Sequence, residues 1–566
     1  MASQYPFNLG TYHRHITASN KACDSWFNRG LLWTYSFNHG EAAFCFEEAI
    51  TSDSRCAMAY WGLAYCLGPN YNKPWSFFDE TDLAGVVSRG RYAARLALEN
   101  LSGATPAEKA LVNAIQHRYP DEKLPEDYSA WSKEFADAMG RVYSEFPDDL
   151  DVITLYADAL MNVNPWDLWD LKTGDPVEGA RTLEIKDILD GALTLDGALQ
   201  HPGLLHMYIH LMEMSPSPES ALPVADHLRG LVPDAGHLQH MPTHLDVLCG
   251  RYQEAIASNS DAIVADEKFL ARSGPYNFYT LYRSHNYHFR VYAAMFAGQF
   301  KVSLDTAGQL EATIPKELLL VESPPMADWL EAFVSLRTHV LIRFGRWEDL
   351  IRLELPEDPL LYCTTTAITH YAKGVAFAAT GRIQQAEEQR RLFRLAVQNV
   401  KPSRTLFNNK CTDILLVAES MLAGELEYRR GNHDVAFGHL REAIRREDSL
   451  PYDEPWGWMQ PTRHAYGALL LERGRIKEAL EVYMADLGMN DSLPRALRHP
   501  NNVWALHGVH ECLVKLGRGE EAREVEGSLS EAKNLADVSI DASCFCRMGD
   551  ASKCQGSPEA ACGANC

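Results

Sequence analysis

Between His201 and His244 the chain reads HPGLLHMYIHLMEMSP and, after a short amphipathic segment, GHLQHMPTHLDVLCGRY. Adding His285 and His288 puts nine of the 21 histidines within residues 201–288, several times their even share. Neutral imidazole is the commonest protein ligand for metals. Several imidazoles beside a carboxylate suit zinc, iron, copper or manganese. The His206–His210 pair has the spacing of a helical chelate, but it lacks the intervening glutamate of the zincin motif, so metalloprotease chemistry is not indicated. Taken singly, each of these histidines is more simply a core residue hydrogen-bonded across a helix seam. Six or more on neighbouring helices favour a metal site.

The elements that must position them are helical. Apolar residues recur at helical spacing, and no period-2 strand pattern stands out. Residues 26–65 read as a helix–turn–helix with small residues (Gly30, Ala43, Ala49, Ala59, Gly62) and Phe46 where two helices would touch. Similar text recurs at 244–265, 371–397, 421–446, 464–485 and 504–533, usually with glycine before the turn and an acidic helix start. The expected fold is all-α, a right-handed α-solenoid of tetratricopeptide-like hairpins over residues 1–535.

Within that frame, helices are expected at about 203–214, 218–231, from Pro242, 252–266 and 277–297. His206, His210 and Glu213 then share one face. Pro242 opens a helix whose first turn holds His244, and His237 and His240 lie on the approach loop. Alternate helices of a solenoid line one face, so His206, His210, His237, His240, His244 and His285 converge as candidate metal ligands. His201 and His227 drop out as helix-start and outer-helix residues. Tyr282 and Glu213 are the candidate proton donor and acceptor, and Tyr276, Tyr279, Tyr282 and Arg283 the candidate pocket wall. Glu454, His464 and His507 form a second contribution, should residues 450–510 wind back over the site centred on 203–290. Three segments rich in Trp, Pro and Asn (68–82, 162–176 and 450–463) are too aromatic for solvated linkers, and either pack plainly or line a pocket.

Composition narrows the function classes. The net charge of −23, from 53 basic and 76 acidic residues, argues against nucleic acid or an anionic membrane. No apolar run approaches a membrane span, and the N-terminus lacks a signal-peptide pattern, so a cytoplasmic protein is expected. Eight of the 13 cysteines are scattered among helical segments, as small buried hydrophobes would be. The other five (Cys544, Cys546, Cys554, Cys562 and Cys566) fall in a Gly-, Ser- and Ala-rich segment, 536–566, expected to be a disordered tail.

The phrases FNRGLLWTYSFNHGEAAFCFEEAI, AYWGLAYCLGPNYN, LVPDAGHLQHMPTHLDVLCGRYQEAI and YDEPWGWMQPTRHAYGALLLE resemble a family of large tetratricopeptide-repeat proteins of bacteria and fungi, over about residues 7–535. The resemblance implies the solenoid fold and no reaction. The leading expectation is a metal-dependent enzyme, with copper or iron favoured and zinc or manganese as alternatives, oxidising a small organic molecule rather than hydrolysing one. The alternatives are a non-catalytic scaffold for a peptide or protein partner, and a metal-handling protein that uses the Cys-rich tail.

Overall fold

The structure, a computed structural model, describes residues 5–121 and 124–547. It is all-α apart from one two-residue strand pair, Thr405–Leu406 with Asn409–Lys410. The chain divides into two compact units. The first comprises residues 1–293, 309–330 and 491–500, and the second residues 294–308, 331–490 and 501–566.

The first unit opens with α1 (Lys21–Tyr35), α2 (His39–Ser52) and α3 (Ala57–Leu67), packed consecutively. Asn20 and Asn38 start the first two by accepting the backbone N–H groups of Cys23 and Glu41. Phe46 of α2 is wedged between Gly30 and Gly62: a Cβ at either glycine would fall 2.7 or 2.2 Å from its ring. This is the tetratricopeptide device, in which small residues on flanking helices admit one aromatic ring.

The helices that carry the site follow. They are α4 (Leu150–Met161), α5 (Pro202–Glu213), α6 (Gly236–His240), α7 (Pro242–Leu248), α8 (Tyr252–Ser273) and α9 (Tyr279–Phe296). Every residue of α5 and of α7 is buried. A helix covered on all sides belongs to the interior, and α5 packs against α1, α4 and α7. Its start is marked by Pro202 and by His201, whose Nδ1 accepts the N–H of Leu204 at 3.0 Å. His201 is therefore a helix cap, as its position suggests, and His227 is exposed. His237 and His240 do not lie on a loop, as expected, but on the separate turn α6. Proline at 242 cannot donate back into a helix continuing from 240, so the chain restarts there as α7.

The second unit stacks α10 (Cys363–Ala379), α11 (Ile383–Val397), α12 (Cys411–Arg429), α13 (His433–Glu447), α14 (Thr462–Glu472), α15 (Ile476–Leu487), α16 (Val503–Lys515) and α17 (Gly519–Leu535) as consecutive hairpins. Turn glycines such as Gly381 and Gly431 have φ of 78° and 85°, a conformation that costs other residues dearly. Packing continues past residue 536, the boundary that composition suggests: Ala542, Ser543 and Cys546 are buried, and the Ser543 hydroxyl bonds Tyr483. Apolar Phe545 docking on Trp504 accounts for the difference, because a few anchoring side chains suffice to order a short polar segment. Cys554, Cys562 and Cys566 lie outside the described residues.

Candidate metal centre

All six candidate histidines and Glu213 are buried in the first unit. Three groupings bring one ligand atom per residue within 4.8 Å of the others: His206 with His210 and His237, His240 with His244 and His285, and His210 with Glu213 and His244.

The hydrogen bonds behind the rings determine which nitrogen faces inward. Nδ1 of His206 meets the Tyr35 carbonyl at 2.7 Å, and Nδ1 of His210 meets Glu213 Oε1 at 2.9 Å. Nδ1 of His244 meets Glu213 Oε2. Nδ1 of His240 meets Asn259 Oδ1 at 2.7 Å, and the Asn259 amide nitrogen, donating to Ala255 O at 2.8 Å, confirms which end is oxygen. Each partner is an acceptor, so each Nδ1 carries a proton, and in a neutral ring Nε2 then presents a lone pair. Nε2 of His240 and Nε2 of His244 then face each other 2.8 Å apart, an approach that needs a proton or a metal cation between them. Nε2 of His210 has no hydrogen-bond partner among the described residues. For His206 and His237, whose Nε2 atoms are 3.2 Å apart, a proton on His237 would give an ordinary bond.

Electrostatics favours the neutral form of His206, His210, His237, His240 and His285. Burial pushes His206, His237, His240 and His285 well below the usual imidazole range, and neighbouring rings (His210 beside His206, His244 beside His240) push the same way. Burial also lowers His210, against the pull of Glu213. For Glu213 burial acts upward, but His210 and His244 together outweigh it and hold the carboxyl below its usual range. Glu213 thus stands as an anion behind two candidate ligands, one oxygen on each.

Aromatic rings close the site. Phe37 lies 4.5 Å from His206, 5.9 Å from His210 and 5.4 Å from His237, measured between ring centroids. Tyr71 and Trp166 stack on each other at 5.2 Å and reach His210 at 4.8 and 5.8 Å. Phe289 covers His240 and His244 at 4.9 and 5.3 Å. Phe37 and Trp166 have φ of 55° and 60°, and bulky residues adopt that left-handed backbone only when the surroundings force it, often at functional sites. A cavity of about 460 Å³ adjoins Phe37, lined also by His39, Asn70, Lys73, Phe278 and Tyr279 among others. Burial and the nearby Arg118 and Lys73 lower His39 to about 3.

Of the expected pocket wall, Tyr279 and Tyr282 are buried, and the Tyr282 ring lies 4.8 Å from His237. Arg283 is buried and donates to Thr313 O at 3.1 Å. Tyr276, which precedes α9, is 61% exposed. Phe37, Asn259 and Phe289 carried no sequence signal, since an isolated Phe or Asn in a helical run looks like any core or cap residue. Tyr71 and Trp166 did carry one, lying in the two aromatic segments 68–82 and 162–176. The third segment packs plainly: Trp458 sits on His339 and Tyr371, and Trp456 donates to Glu447 O at 3.0 Å.

Glu454, His464 and His507 belong to the second unit. Both nitrogens of His464 are engaged there. Nδ1 accepts from Arg343 at 2.9 Å and Nε2 meets Asp486 at 2.8 Å. Glu454 accepts the Tyr452 hydroxyl, and His507 is half-buried on α16, its Nε2 3.9 Å from Glu511. None of the three falls in a metal-type grouping among the described residues.

No helix among the described residues is long and apolar enough to cross a membrane. No protein-family description matches the chain, and no curated protein matches it. Solved helical structures are similar to it at low identity. A monomeric mutant of IFIT1 with Gppp-AAAA shares 14% identity, covering 81% of this chain and 92% of that one, with TM-score 0.31. The Naa15/Naa10 complex bound to HypK-THB shares 13%, covering 91% and 72%, with TM-score 0.22. The Cut9–Hcn1 hetero-tetramer of APC/C shares 12%, covering 92% and 95%, with TM-score 0.23. The tetratricopeptide-like, all-α fold rests on the chain's own hairpins.

Proposed function

We propose that the first unit houses a transition-metal centre, with His206, His210, His237, His240, His244 and His285 as ligands, and that the protein is a metal-dependent enzyme oxidising a small organic molecule. One observation carries this reading. His240 and His244 turn their Nε2 atoms toward each other at 2.8 Å, each with its Nδ1 tied to an acceptor. Two lone pairs so placed repel unless a cation lies between or beside them, and acceptors behind the ring are the usual way to orient a metal-bound imidazole.

A donor set of imidazoles with one carboxylate favours copper or iron over magnesium or calcium, which take oxygen ligands. A copper or iron ion held by these histidines would supply one-electron redox chemistry. The cavity bounded by Phe37 is the approach for a small molecule. Tyr282, whose phenol burial raises above its usual range, keeps its proton at neutral pH and suits donation. Glu213, engaged by two imidazoles, serves as a positioning residue rather than a base.

The test is elemental analysis of purified full-length protein, as isolated and after reconstitution with copper, iron, zinc or manganese. The wild type is expected to bind transition metal, and His240→Ala and His244→Ala are each expected to bind less of it while keeping wild-type helicity. Less than about a tenth of an equivalent in the wild type after reconstitution would sink the reading. The helical-hairpin fold would then favour the scaffold alternative, in which a peptide or protein partner is held along the repeats.

A further inference from the structure

The six histidines divide into two sets of three. His206, His210 and His237 can place one nitrogen each within 4.8 Å of the others, and so, independently, can His240, His244 and His285. Both short Nε2–Nε2 approaches, 3.2 Å for His206–His237 and 2.8 Å for His240–His244, fall within a set. A tetrahedral ion about 2.0–2.1 Å from each imidazole nitrogen sets those nitrogens about 3.3 Å apart, close to the first value and about half an ångström above the second. Six imidazoles exceed what one tetrahedral ion uses. Glu213 stands between the sets, with Oε1 on His210 of one and Oε2 on His244 of the other. The rings at the border are adjacent: His210–His244 and His237–His240 centroids are each 5.9 Å apart.

We propose that the centre is dinuclear, with two metal ions each on three imidazoles and Glu213 locking one ligand of each from behind. The proposal rests on the metal reading above and adds the number of ions and their division. Charge indicates which ions load. Six neutral imidazoles and one carboxylate contribute a single negative charge to a buried site. Two divalent ions would leave three uncompensated positive charges there, and two cuprous ions only one. Imidazole suits copper, so a copper(I) pair is the expected occupant.

The test uses the full-length chain loaded anaerobically with copper(I). Metal is counted by elemental analysis, sulfur and nitrogen ligands are distinguished by copper X-ray absorption, and unpaired spins are counted by electron paramagnetic resonance after oxidation. Two equivalents of nitrogen-bound copper with a copper–copper scattering signal, largely spin-silent once oxidised, are expected. His206→Ala and His285→Ala each remove one ligand from one set, and each is expected to keep one equivalent that shows a full spin. Circular dichroism checks that both variants fold, and if either does not, the wild-type count and scattering decide alone. One nitrogen-bound equivalent in the wild type, lost on replacing either His210 or His244, would overturn the dinuclear centre and leave the metal reading intact. No nitrogen-bound metal of any kind would overturn both.

Discussion

At the scale of single residues, Glu213 decides how two imidazoles are presented. As a carboxylate it accepts from Nδ1 of His210 and of His244 at once. A glutamine of the same shape has one accepting end and one donating end. The imidazole facing the amide N–H2 would have to move its proton to Nε2 and surrender the lone pair it offers a metal. Glu213→Gln is therefore expected to weaken metal affinity by roughly 10–100-fold, the usual cost of losing such a supporting hydrogen bond, with unchanged helicity. Isothermal titration or competition with a chromophoric chelator reads it. An unchanged affinity would show that the carboxylate does not orient the ligands.

At the scale of elements, the hairpins depend on rings set against glycines. In the second unit Tyr483 of α15 lies between Gly467 of α14 and Gly508 of α16, where an added Cβ would fall 2.5 and 2.6 Å from the ring. Tyr483 is fully buried and bonded to Ser543, so it cannot swing aside. Gly467→Val is expected to destabilise the fold by about 1–3 kcal/mol, as overpacking does, and Gly474→Ala to strain the next turn, where φ is 72°. Valine at Gly438, whose Cβ would meet nothing within 4 Å, is the control and should unfold near the wild type. Urea unfolding followed by circular dichroism distinguishes them, and equal midpoints for the Gly467 and Gly438 variants would refute the wedge.

At the scale of the whole molecule, buried carboxyls couple stability to pH. Burial raises Glu447 to about 8, against the pull of Arg463 and Thr462. Its carboxyl accepts the Thr462 N–H at 2.9 Å. A carboxyl whose folded value exceeds its unfolded value of 4.5 binds a proton in the fold that the unfolded chain has released. Its contribution is complete below about 4.5 and is lost as pH rises toward 8. Glutamine keeps the accepting oxygen and does not titrate. Relative to the wild type, Glu447→Gln is expected to gain roughly 1 kcal/mol per pH unit between pH 5 and 8 and to level off above that. Parallel stability–pH curves for the two proteins would rule out the coupling. The net charge of −23 adds a repulsion common to both.

Much of this was legible in the residues alone. Helical periodicity, glycine–turn–acid text and the Phe46 and Gly30 pattern are local signals, because a hairpin is held by contacts close in sequence, and they determined the all-α, tetratricopeptide-like fold. The i, i+4 spacing of His206 and His210 and the Pro242 restart are equally local, so the histidines that share a helix could be named in advance. Tertiary structure alone decided the rest. That Asn259 of α8 and the Tyr35 carbonyl of α1 stand behind His240 and His206 depends on packing between separate helices, over 19 and 171 residues of chain, which no helical spacing encodes. The two nitrogens of His464 are instead paired with Arg343 and Asp486, 121 and 22 residues away. Residue type sets what a side chain can do. Which nitrogen is left bare depends on what the fold places behind the ring, and for His240 and His244 that is what turns an excess of histidines into a candidate metal centre.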